Sequence, residues 1–125
     1  MLIIDDKNVL WILEIKDYRF YRRTKSESPE NEFAIKVLDT MAMLFSAAHS
    51  ADNKEKEIAK SSITCKKIRL VLHFEQSKKT IKLYPRSFDL NDIQLKLRKS
   101  LKCIDAHPIV MDMDNFPSVI KWTVS

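Results

Sequence analysis

The residues in this chain best suited to chemistry are Glu14 and Lys16, two apart in the run VLWILEIK, with Asp5 and Asp6 upstream across the turn-forming stretch DDKN. A carboxylate, a lysine two positions on and an upstream acidic pair are the parts of a metal-dependent hydrolase, in which acids hold a divalent cation and an ammonium positions the attacking water. Asp112 and Asp114 put two further carboxylates on one face of a short strand, with no third ligand nearby in sequence. His49, His73 and His107 fall on three different elements, and Cys65 and Cys103 lack the short paired spacing of a zinc site. No serine, threonine or cysteine stands in a recognisable nucleophile setting. The sequence contains no glycine at all, which excludes the P-loop and the dinucleotide fingerprint.

Over residues 5–16 the E-x-K arrangement resembles metal-dependent nucleases of the restriction-endonuclease type. The resemblance implies Mg²⁺-assisted cleavage of nucleic acid. The residues themselves favour a simpler arrangement, because Glu14 and Lys16 share the strand face of Leu10 and Ile12, where an ion-paired strand edge accounts for them. The chain is therefore expected to be no enzyme, with no catalytic residue, metal or cofactor, and the nuclease stands as a second alternative.

The elements that must position these groups follow from periodicity. Leu2–Ile4, a turn and the apolar run Val9–Ile15 read as a hairpin feeding a central strand. Ser28-Pro29-Glu30 is a helix start, with a capping hydroxyl and a proline whose missing N–H costs nothing there. The stripe Phe33, Val37, Met41, Leu44 and Ala48 then carries the helix to about residue 49, widened by Leu38 and Phe45. Residues 50–62, SADNKEKEIAKSS, read as a mobile loop or a frayed helical extension. A hairpin over residues 66–86 follows, then a helix capped by Asp89 with Leu90, Ile93, Leu97, Leu101 and Ile104 on one stripe. Two short strands, IVMDM and VIKWTV, close the chain. This order predicts a single α+β domain over residues 1–125, a two-layer sandwich of about six largely antiparallel strands with two helices on one face.

Charge and apolar surface point to partners. The net charge is +5, and residues 63–104 hold eleven of the 22 lysines and arginines but three of the 17 acids. In the hairpin register that keeps Leu72 and Phe74 on the core side, Arg69 and His73 face outward opposite Arg86 and Lys82, beside Tyr84, with Lys67, Lys78 and Lys79 extending the row. Such a face suits nucleic acid or anionic lipid. The first helix is short of charge where a solvent face should be, at Lys36, Thr40, Met43 and Ala47, which suits another protein chain, a second copy or a different one. No apolar run approaches the roughly 20 residues that span a bilayer. The leading expectation is a non-catalytic interaction subunit of an intracellular complex, in cytoplasm or nucleus, assembling as a dimer or hetero-oligomer through the apolar helix face or a sheet edge. The alternative is a nucleic-acid or anionic-lipid binding module using the basic hairpin face.

Overall fold

A computed structural model describes residues 1–18, 27–50, 52–76 and 88–114 of the chain. Among them are β1 (Leu2–Ile4), β2 (Val9–Tyr18), α1 (Pro29–Ser50), α2 (Asn53–Ile63), β3 (Lys67–Gln76), α3 (Leu90–Leu101) and β4 (Ile109–Met111). The sheet order is β1-β2-β3-β4. β1 is antiparallel to β2, whereas β2, β3 and β4 run parallel. The α+β class holds: the described residues form three helices and a four-stranded mixed sheet, where a sheet of about six largely antiparallel strands with two helices was expected.

The parallel pairing has a visible cause. Val9–Leu13 and Leu70–Glu75 are buried at every position, so both faces of β2 and β3 need cover, and continuous apolar runs of this kind are what parallel strands require. Parallel neighbours also need a long crossover, which α1 and α2 supply between β2 and β3, and α3 between β3 and β4. Two crossovers of one hand, advancing in one direction across a sheet, put their helices on the same face. That face holds the larger core: Leu10, Ile12, Leu70, Leu72, Phe74 and Val110 from the strands against Phe33, Val37, Leu44, Ala59, Ile93, Leu97 and Leu101 from the helices. Val9, Trp11, Leu13, Val71, Ile109 and Met111 form a second cluster on the opposite face.

The expected 66–86 hairpin register is corrected by the same ladders. Val71, Leu72 and His73 have Leu13, Glu14 and Ile15 on one side and Ile109, Val110 and Met111 on the other. Both edges of the strand are thus occupied where Tyr84, Leu83 and Lys82 were to pair. The proposed return strand itself, and the final VIKWTV strand, lie outside the described residues.

Local signals fared better at helix starts. The Ser28 hydroxyl accepts from the Asn31 N–H at 3.3 Å, and the Asp89 carboxylate accepts from the Asn91 N–H at 3.0 Å. Residues 53–63, within the stretch read as a mobile loop or a frayed helical extension, form a separate helix. Asp52 caps it by accepting from the Glu55 N–H at 3.1 Å, its lysines, glutamates and alanine favour helix, and Ala59 and Ser62 are buried beneath it. Leu38 and Phe45, expected to widen the α1 core stripe, are exposed.

Candidate functional site

An open groove of about 380 Å³ runs between α1, α2 and the edge strand β1. Thr40, Met43, Leu44 and Ala47 line it from α1, Glu55, Ile58 and Ala59 from α2, and Leu2 from β1. The geometry follows from the sequence. Residues 40, 43, 44 and 47 recur at helical spacing on one side of α1, while α2 turns back along α1 and buries Ala59, a side chain too small to fill the gap between the helices. Met43 is 72% exposed and Ile58 56% exposed, so the apolar walls stand open to water. Thr40, Met43 and Ala47, predicted as an interaction surface, therefore come together here. Ile58 and Leu2 were missed, because residues 50–62 read as a mobile loop or a frayed helical extension and β1 only as the first arm of a hairpin.

Lys36, the fourth predicted interface residue, serves elsewhere. Its Nζ lies 2.8 Å from Glu14 Oε1, while Lys16 Nζ lies 3.3 Å from the same oxygen and 2.9 Å from Glu32 Oε1. Glu14 and Lys16 thus form, with Glu32 and Lys36, an alternating network that ties the end of β2 to the start of α1. Burial would raise the Glu14 pKa, but hydrogen bonds and attraction to Lys36 and Lys16 outweigh it and hold the carboxyl below its ordinary value. Burial likewise opposes the charge on Lys16, yet its carboxylate partners raise its pKa.

The acids that the nuclease resemblance joins lie apart along β2, Asp5 before its first residue and Glu14 at its middle. Asp5 sits in the β1–β2 turn, where its Oδ1 accepts from the N–H groups of Lys7 and Val9 and its Oδ2 from Trp11 Nε1 at 2.9 Å. Glu14 lies five strand residues beyond Val9, about 16 Å along the ladder. Asp112 accepts from the Asp114 N–H at 3.0 Å, closing a local turn. Among the described residues no three His, Cys, Asp or Glu side chains come together as metal ligands.

The predicted basic face is also redistributed. His73 is 0% exposed and its Nε2 meets Glu75 Oε1 at 2.8 Å, so it is an interior residue. Arg69 lies over the Trp11 ring, with Nε 3.2 Å from Asp105 Oδ2 and Nη2 donating to the His107 carbonyl. Lys67 is exposed at the start of β3. Lys78, Lys79, Lys82, Tyr84 and Arg86 lie outside the described residues. The outward reading of His73 fails because the strand is flanked there on both sides and covered, which a two-strand pattern does not disclose; Arg69 does lie on the face away from the helices, but its guanidinium is taken up by Trp11, Asp105 and the His107 carbonyl.

No family model matches the chain, and no solved structure does. The chain is similar to part of the cysteine--tRNA ligase of Neisseria meningitidis serogroup A, with 32% identity over 139 aligned residues that cover 95% of this chain and 20% of that protein. It spans about a fifth of the length of that curated relative. This finding overturns the expectation that the chain is no enzyme: nearly all of it aligns with a segment of a ligase. Among the described residues no helix is long and apolar enough to cross a membrane.

Proposed function

We propose that the chain is an assembly module of an enzyme of the aminoacyl-tRNA ligase kind, docking on the remainder of that enzyme through the groove between α1, α2 and β1. The observation that carries this reading is the exposed apolar lining of Met43, Ile58 and Leu2 in one concave surface. Each such side chain, once covered, contributes about 1.5–3 kcal/mol, and three together suffice to anchor a standard interface. The occupant is argued from the relative, in which the matching segment shares a polypeptide with the other four fifths of the ligase. That reading places the chain inside the cell. It also places RNA within reach, since the relative by its name acts on a tRNA.

The test is gel filtration of the chain with the cysteine--tRNA ligase of its source organism. A complex is expected with wild type and lost with Met43→Glu, whose side chain is too exposed for the change to affect folding. A second copy in the groove, seen as a homodimer that Met43→Glu dissociates, would replace the ligase as occupant. A wild-type chain that stays monomeric beside the ligase overturns the reading.

A further inference from the structure

The cations of the described residues divide by position. Lys16, Lys36 and Lys96, toward the end of the sheet where the parallel strands finish, all have carboxylate partners within 3.5 Å. At the opposite end, where the strands begin, three turns converge. The Lys66 N–H donates to the Asn8 carbonyl at 2.8 Å, joining the α2–β3 turn to the β1–β2 turn, and Lys67 pairs with Val9. Asp105, in the turn after α3, accepts from the Leu70 N–H at 2.9 Å and so draws the end of α3 to the same place. Lys7, Lys60, Lys66, Lys67, Lys99 and Lys102 are all exposed here, and none forms an ion pair with a described residue.

The acids of these turns do not balance them. Asp5 spends its carboxylate on two backbone N–H groups and Trp11, and Asp105 on Leu70, His107 and Arg69, leaving Asp6 as the exposed acid of the three turns. Lys60, Lys99 and Lys102 sit at helix C-termini, where the dipole accounts for them. Lys7, Lys66 and Lys67 have no such reason. Arg69 is spent on Asp105 and the His107 carbonyl, and Arg98 adds an exposed guanidinium in the last turn of α3. A cluster made mainly of ammonium groups suits phosphates taken as point charges more than bidentate reading of bases. Trp11 is buried under Arg69 and offers no stacking platform, which leaves the exposed His107 as the ring in the turn after α3.

We propose that this end of the sheet binds the phosphate backbone of RNA without reading its sequence; the choice of RNA rests on the ligase reading above, whereas the site itself does not. The experiment is fluorescence anisotropy with a labelled RNA hairpin, a DNA hairpin of the same sequence and vesicles containing phosphatidylserine, from about 50 to 200 mM salt. Wild type is expected to bind the RNA with a slope of log K on log salt of roughly −3 to −5, and Lys66→Gln with Lys67→Gln to flatten it by one to two units. Lys96→Gln, at the paired end of the sheet, should leave the slope unchanged. Retained RNA binding in Met43→Glu supports a site separate from the groove, even if the docking reading fails. No RNA binding at low salt overturns the proposal. So does a slope indifferent to Lys66 and Lys67, a preference for DNA, or capture of vesicles without RNA.

Discussion

Replacing Lys16 by Met tests whether the network at the end of β2 holds α1 in place. Lys16 lies 2.9 Å from Glu32 and 3.3 Å from Glu14, and the three side chains are 18%, 10% and 24% exposed. Breaking a fully buried pair costs about 3–5 kcal/mol and breaking a surface pair about 0–1 kcal/mol. This site lies between those limits, and Glu14 keeps Lys36 at 2.8 Å, so the expected loss is about 2 kcal/mol, or roughly 5–10 °C in Tm. Urea unfolding at pH 7 measures it, and a cycle with Glu32→Gln should give a coupling energy of about 1–2 kcal/mol. The pH dependence supplies a second reading. Glu14 has a folded pKa depressed below its ordinary 4.5, so its contribution is complete above that value and is lost as pH falls through the folded pKa. Lys16, with its folded pKa raised, contributes fully below 10.5 and loses that contribution only as pH rises through the higher folded value. The gap between wild type and Lys16→Met should therefore narrow in acid, below about pH 4. A Lys16→Met protein as stable as wild type at pH 7, or an equal gap at pH 3 and pH 7, would refute the reasoning.

Asp105→Ala should cost about 2–4 kcal/mol in urea unfolding, because it removes the buried acceptor of the Leu70 and His107 N–H groups and of Arg69 at once. Asn8 holds φ at 61°, so Asn8→Gly should change stability little while Asn8→Val costs about 1–2 kcal/mol, again by urea unfolding. Thiol titration at pH 8 should label Cys103 first, since Cys103 is exposed while burial and the nearby Asp5 raise the Cys65 pKa and thin its thiolate. Equal labelling rates in the single Cys65→Ser and Cys103→Ser variants would contradict that order.

Helices α1 and α3 were legible because caps and 3.6-residue stripes are local: Ser28, Pro29 and Asp89 mark starts whatever the chain does later. The sheet was not, because pairing is a long-range choice. The run Lys67–Gln76 alternates well enough to suggest a half-exposed hairpin strand, and its centrality shows only once the fold buries His73, read as outward-facing, against Glu75 at 2.8 Å. The apolar run Val9–Leu13 did disclose a central strand, yet not that its neighbour would be parallel. The candidate groove was half visible for the same reason. Thr40, Met43 and Ala47 belong to one helix, whereas Leu2 and Ile58 join them only through the crossover that brings α2 beside β1.

That crossover also explains why charge is sorted from end to end. With β2, β3 and β4 parallel and the helices on one face, those three strands begin, and α3 finishes, at one end, and α2 leads into β3 at that same end, so lysines favoured in the last turns of α2 and α3 gather beside the first residues of these strands. Acids favoured in the first turns of α1 and α3, Glu30, Glu32 and Asp92, gather at the other end and meet Lys16, Lys36 and Lys96. An ordinary preference for helix capping charges thus accounts for the paired end in full. It leaves the unpaired end with Lys7, Lys66 and Lys67 in turns, where no helix dipole favours them. It is those three positions, and not the total charge of the chain, that make an external polyanion the simplest remaining counterpart.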